Sequence, residues 1–182
     1  MKKKLLVALG TVAGLLVLAV VVLLAMGQRA AEGRNDHTVE IAAPPEVVWR
    51  YLEEPEKLKL WVAWLHEVRR EPPGPDGVVR REVWVMDDPN TQGRMELAAE
   101  LVEVTPPRLV HVKVGVPGSF DGWIRYELSA LDGGRTRLAY TSHFAYGPWL
   151  FRLLEPLVTP QAQKKLVADL AKLKAVAEGA GT

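Results

Sequence analysis

Gly122-Trp123-Ile124-Arg125-Tyr126-Glu127-Leu128-Ser129-Ala130-Leu131, then Asp132-Gly133-Gly134, then Arg135-Thr136-Arg137-Leu138-Ala139-Tyr140-Thr141-Ser142-His143-Phe144-Ala145-Tyr146, is the passage from which the architecture can be read. Successive side chains of a strand point to opposite faces. In the first run Ile124, Tyr126 and Leu128 share a side, opposite Trp123, Arg125 and Glu127. In the second, Leu138, Tyr140, Ser142 and Phe144 share a side, opposite Thr141 and His143. An Asp-Gly-Gly turn between two such runs predicts an antiparallel hairpin with one inward and one outward face.

The same pattern continues upstream. Arg108 to Val116 carries Val110, Val112, Val114 and Val116 on one side, with His111 and Lys113 on the other, and Pro117-Gly118-Ser119 turns it into the hairpin. Before it come runs at 94–104, 78–86 and 65–70. Thr105-Pro106-Pro107, Asp87-Asp88-Pro89-Asn90 and Pro72-Pro73-Gly74-Pro75-Asp76-Gly77 separate them. Strands at this spacing with short turns predict an antiparallel meander. The face of 78–86 is ambiguous, because Val79, Val83 and Val85 oppose Trp84 and Met86. A further short strand, 37–42, is broken by Ala43-Pro44-Pro45. Proline is tolerated in the first turn of the helix that follows, whose apolar face is Val47, Val48, Tyr51 and Leu52 and which Glu54-Pro55 ends. Leu58, Trp61, Trp64 and Leu65 recur at helical steps and predict a second short helix over 56–64.

Downstream the pattern turns helical. Pro148 opens this region, Pro156 is expected to bend or break it, and Thr159-Pro160 to restart it. Leu166, Val167, Leu170, Leu173, Val176 and Ala177 form an apolar stripe; Lys164, Lys165, Asp169, Lys172 and Lys174 fall mostly on the other side. Such a helix is the natural cover for one face of the sheet.

The N-terminus has a different character. Lys2, Lys3 and Lys4 precede an uncharged stretch to Gln28, whose apolar core, Leu5 to Met26, runs 22 residues. As a helix that is roughly 33 Å, against a hydrocarbon core of about 30 Å. Residues 1–27 are therefore expected to be a transmembrane anchor, 28–36 a linker, 37–178 the domain and 179–182 a tail. Lysines on the N-terminal flank predict a cytoplasmic N-terminus and an extracytoplasmic domain. Two alternatives stay open: a signal peptide cleaved near Ala25-Met26-Gly27, and a domain facing the cytoplasm. The apolar run exceeds the usual h-region of about 7–15 residues, which favours the anchor. Gly10 and Gly14 have the spacing that lets membrane helices approach, a weak sign of a dimer.

Composition excludes several classes. Leaving out 1–27 removes three lysines and no acid, so 23 basic and 22 acidic side chains become 20 and 22. No basic stripe appears, which argues against a nucleic-acid partner. There is no cysteine, hence no disulfide and no lipidated cysteine. The four histidines, 37, 66, 111 and 143, stand at no metal-ligand spacing, and no phosphate loop or nucleophile elbow is present. No metal and no cofactor are expected. Glu82, Glu100, Asp121 and His143 are the acid-base candidates if the chain is an enzyme, but ordinary solvated charge also explains them.

Strand, two short helices, six antiparallel strands and a long C-terminal helix, in that order, resemble the START-like helix-grip superfamily (SRPBCC), in its polyketide cyclase/dehydrase and lipid transport branch. Val39-Glu40-Ile41-Ala42-Ala43-Pro44-Pro45-Glu46-Val47-Val48-Trp49 resembles the opening strand, proline and helix. Glu54-Pro55-Glu56-Lys57-Leu58-Lys59-Leu60-Trp61 resembles the helical link, and Val102-Glu103-Val104-Thr105-Pro106-Pro107-Arg108-Leu109 a middle turn. Tyr126-Glu127-Leu128 with Gly134-Arg135-Thr136-Arg137-Leu138 resembles the late hairpin. The resemblance implies an α+β helix-grip fold: a seven-stranded curved antiparallel sheet around the C-terminal helix, with a cavity between them that commonly holds an apolar or amphipathic molecule. It implies no shared catalytic residue.

On the inward strand faces and the neighbouring helices, the candidate ligand-binding residues are Trp61, Trp64, Val112, Val114, Ile124, Tyr126, Tyr140, Phe144 and Leu170. Tyr126, Tyr140 and Ser142 add hydroxyls to an apolar surface, the few polar handles a ligand site needs. The expected function is a membrane-anchored binding protein for a hydrophobic small molecule or lipid, a carrier or sensor. An interaction module with a filled core and a cyclase- or dehydratase-type enzyme are the alternatives, the latter requiring a proton-transfer group inside the cavity.

Overall fold

The alternation read from the hairpin builds one sheet of seven antiparallel strands: β1 (Asn35–Ile41), β2 (Leu65–Arg70), β3 (Arg81–Asp87), β4 (Arg94–Thr105), β5 (Leu109–Val116), β6 (Phe120–Leu131) and β7 (Arg135–Tyr146). The computed structural model describes residues 2–29, 33–87, 93–147 and 149–179, with the side chains of 2, 5–8, 26–29, 146 and 149–159 outside that description. The strand order is β1-β7-β6-β5-β4-β3-β2. From β2 to β7 it is a plain meander. β1 joins at the far edge, so the chain between β1 and β2 must cross one face of the sheet. It does so as α2 (Pro45–Glu53) and α3 (Pro55–Leu58).

Pairing puts the apolar sets on one face. Tyr126 stands opposite Tyr140, Leu128 opposite Leu138 and Ile124 opposite Ser142. Val110 and Val112 stand opposite Tyr126 and Ile124. Gly133 and Gly134, with φ of 75° and 69°, supply the left-handed backbone of the turn between β6 and β7. The ambiguous strand is resolved by β3, where Trp84 and Met86 share the inner face with Glu82, while Val83 and Val85 alternate to the opposite face, where Val85 is nonetheless buried. Glu82 is buried there because Arg70 Nε and Trp84 Nε1 both donate to its carboxylate, at 2.9 and 2.8 Å.

Several expectations change. The second short helix is only Pro55–Leu58. Trp61 keeps its place in the core, donating its indole N–H to Tyr51 O at 2.8 Å, but Trp64 adopts a φ of 69° and turns outward. The C-terminal helix α4 (Trp149–Gly179) is continuous through Pro156 and Pro160. A proline removes one backbone donor, and a long helix held elsewhere tolerates that loss. Within it Asp169 is buried and Val167 exposed, the reverse of the stripe assignment. β1 starts at Asn35, two positions inside the expected linker. The Asp88–Asn90 part of one turn, Pro148 and the tail at 180–182 lie outside the described residues.

α4 lies along β1. Gln163 Nε2 donates to Asp36 O at 3.0 Å, Lys174 Nζ donates to Glu40 O, and Glu178 Oε1 accepts from Ala42 N at 2.7 Å. From 163 to 178 a helix rises about 22 Å, and from 36 to 42 a strand rises about 20 Å, so the two elements stay in step. The side chains of α4 thereby satisfy backbone carbonyls of an edge strand.

The N-terminal helix α1 (Lys2–Arg29, 28 residues) behaves unlike the rest. Leu9, Val17, Leu18 and Leu15 are all more than half exposed, and they lie on four different sides of the helix. Among the described residues no helix is long and apolar enough to cross a membrane. The spanning helix expected from the sequence is thus not among the findings.

Candidate functional site

Between the inner face and α4 the packing is incomplete. A cavity of about 260 Å³ opens there. Its walls include Trp61, Trp84, Tyr126, Tyr140, Phe120 and Phe144. The rings meet edge to face, with centroids 5.2 Å apart for Tyr126 and Tyr140, 6.0 Å for Phe120 and Phe144, and 6.2 Å for Trp61 and Tyr126. Gly122 makes room for this arrangement. It pairs with Phe144, and a Cβ on it would stand 2.2 Å from His143 O and 2.7 Å from the Phe144 ring.

Of the residues proposed from sequence, Trp61, Val114, Ile124, Tyr126, Tyr140 and Phe144 line this cavity. Val112 lines a separate void of about 50 Å³ beside α2. Leu170 is fully buried but packs in the core without reaching the cavity wall. Trp64 does not line the cavity; it is half exposed, and its ring lies 5.0 Å from the Lys165 ammonium. The outward turn at its left-handed backbone explains the difference.

Sequence reasoning missed the cavity's charged pair. Lys165 and Asp169 are one helical turn apart on α4, and both reach the lining. Asp169 is only 8% exposed. One carboxylate oxygen accepts from Lys165 Nζ and the other from Ala63 N at 3.2 Å. Asn35 also lines the wall, donating Nδ2–H to Gly33 O at 3.2 Å while its Oδ1 has no partner. The buried Ser142 hydroxyl, beside it across the β1–β7 pair, has no well-aligned hydrogen-bond partner.

Burial pushes the Tyr140 phenol up to about 12, opposed by the nearby Ser142 hydroxyl and reinforced by the negative charge of Asp169. Burial raises Tyr126 well above its ordinary value, with Tyr140 and Asp169 adding to the effect. Both phenols stay protonated at neutral pH and can donate a hydrogen bond into the cavity.

The four acid-base candidates lie elsewhere. Glu82 is held by Arg70 and Trp84. Glu100 and Asp121 are exposed, and His143 is on the outer face, stacked at 6.2 Å against Trp123. Among the described residues no group of side chains could hold a metal ion.

A seven-stranded antiparallel sheet gripping a long C-terminal helix over an aromatic cavity defines a helix-grip domain. The chain belongs to the family described as Polyketide cyclase / dehydrase and lipid transport, which matches residues 34–178. Solved structures agree in fold. A conserved protein from Geobacillus kaustophilus is 17% identical with a TM-score of 0.64, covering 79% of this chain and 94% of its own. A protein from Thermus thermophilus is 19% identical at 0.63, covering 82% and 99%. A START superfamily protein from Mycobacterium smegmatis is 15% identical at 0.59, covering 80% and 94%. A comparison with curated proteins finds no match.

Proposed function

We propose that this protein binds a hydrophobic small molecule or lipid in the cavity between sheet and α4, as a carrier or sensor held at a membrane by α1. The observation that carries the binding reading is the cavity itself: about 260 Å³, walled by six aromatic rings and a few polar groups. Burying about 300 Å² of apolar ligand surface contributes roughly 7 kcal/mol before the costs of immobilisation. A filled interaction module would have packed this space with side chains. The cyclase- or dehydratase-type alternative needs a proton-transfer group in the cavity. Asp169 is one, but both its oxygens are already engaged by Lys165 and Ala63, which favours binding over catalysis.

The anchoring reading rests on α1. Among the described side chains of α1, Leu9, Leu15, Val17 and Leu18 are apolar and exposed on different sides, an arrangement with no counterpart on a water-soluble surface. The full apolar run of the sequence, Leu5 to Met26, is long enough for a bilayer. The lysines before it orient the N-terminus to the cytoplasm and the domain to the outside. An anchored cavity meets membrane-derived ligands at raised effective concentration.

Native mass spectrometry of the full-length protein extracted from its own membrane, with lipid identification on the same sample, tests both parts. A mass that includes residues 1–27 with a defined bound molecule supports them. Recovery of the protein from the soluble fraction removes the anchor. An intact, folded and persistently empty domain that also ignores a broad lipid panel removes the binding reading.

A further inference from the structure

We propose that the cavity selects a neutral ring compound bearing a hydroxyl or carbonyl oxygen and rejects carboxylates, so that free fatty acids are not its ligands. The inference rests on the binding reading above and narrows it.

Size comes first. A cavity of about 150 Å³ takes a benzene ring, and this one has about 260 Å³. That suits a bicyclic ring. Shape agrees, because flat rings wall the space and pair well with the faces and edges of another ring.

Charge decides the rest. Among the described lining residues, Lys165 and Asp169 are the only charged ones. The Lys165 ammonium is taken up by Asp169 and faces the Trp64 ring, so the cavity offers no spare cation. An entering carboxylate would lose its water and find the Asp169 carboxylate as a neighbour. A neutral hydroxyl meets the opposite situation. It can accept from a Tyr126 or Tyr140 phenol, both of which line the cavity and are kept protonated by burial. The phenols of the cavity wall and the nearby Asp169 charge are thus complementary to an uncharged ligand.

Equilibrium dialysis of the full-length protein in lipid nanodiscs, with empty nanodiscs subtracted, can compare one skeleton in three forms: naphthalene, 2-naphthol and 2-naphthoate. The expected order is 2-naphthol first, naphthalene up to about tenfold weaker, and 2-naphthoate at least about thirtyfold weaker. Asp169→Asn should bring 2-naphthoate to within about tenfold of 2-naphthol. Naphthoate binding as well as naphthol overturns the inference and leaves the binding reading intact. Binding of palmitate with none of the three ring compounds does the same, on grounds of size. If neither the ring compounds nor palmitate bind, the binding reading itself falls. An unchanged ratio in a folded Asp169→Asn protein overturns the electrostatic account; should that variant not fold, the ranking on the unaltered protein still decides.

Discussion

The two ends of the space between sheet and α4 are built differently. At the end bounded by Ile41, Thr136, Leu138, Leu173 and Ala177, each of these residues is fully buried. Polar groups there are matched: Thr136 Oγ1 donates to Ala43 O at 2.6 Å, and the Tyr51 hydroxyl donates to Val176 O at 3.0 Å. At the other end, only one or two turns of α4 away, lie the cavity, the Asp169–Lys165 pair and the unpartnered atoms of Asn35 and Ser142. The sheet and the helix are common to both ends, and only the packing between them differs. The filled end supplies stability, and the hollow end is the one to which the proposed ligand is assigned.

The largest expected difference is between truncations at the two ends. Leu173→Ala removes a side chain with no exposure and should cost about 2–5 kcal/mol in chemical denaturation. Phe144→Ala enlarges an existing void from its wall and should cost less, about 1–2 kcal/mol, because part of that ring already faces space. Equal losses would break the distinction between ends.

Gly122→Ala sharpens it next. The added Cβ meets backbone, His143 O at 2.2 Å, which cannot swing away as a flexible side chain could. The β6–β7 pair must shift, at about 1–3 kcal/mol, and the Phe144 ring must move toward the cavity. A crystal structure of the variant with Phe144 unmoved would show that glycine here is not what sets the cavity wall.

Much of this was legible beforehand. Period-two alternation placed Tyr126, Tyr140, Ile124 and Phe144 on the face that lines the cavity, because sheet geometry leaves a side chain only two directions. What alternation could not do was say where the interface would be hollow, since a wall residue and a core residue look alike in sequence. Trp64 shows a second limit: helical spacing over 56–64 is also met by a turn, and only the left-handed φ of 69° reveals that the chain has left the helix. Asp169 is the instructive miss. Its charge suggested the polar face of α4, yet it lies three residues after Leu166 and four before Leu173, both buried. On a helix those steps share a face, so its position placed it nearer the stripe than Val167.

Ser142 and Thr136 allow a finer comparison. Both are fully buried on the inner face of β7, one at each end. Thr136→Val removes a hydroxyl that bonds Ala43 O and leaves that carbonyl short, so a loss of about 1–2 kcal/mol is expected. Ser142→Ala removes a hydroxyl without such a bond and should change stability by less than about 0.5 kcal/mol in the ligand-free protein. With ligand bound, the same change should weaken binding if the hydroxyl serves the hollow end. Urea midpoints measured with and without 2-naphthol separate the two roles.

The smallest effect concerns the clasp that holds the filled end shut. Glu178 accepts from Ala42 N and pairs with Lys174 at 3.1 Å. The Ala42 amide, followed by Lys174, holds its carboxyl below the ordinary value of 4.5. A carboxyl depressed in the folded state contributes stability that is present above its unfolded value and lost as pH falls through the folded one. Glu178→Gln should therefore leave the protein slightly less stable at neutral pH and make its stability fall less steeply on acidification below 4.5. The carboxylate is largely in water, so the change is small. Because this clasp lies at the filled end, acid should loosen α4 there without altering the ranking of neutral ligands in the cavity. A Glu178→Gln protein whose ligand ranking changes would mean that the two ends are coupled through α4 and do not divide stability from binding.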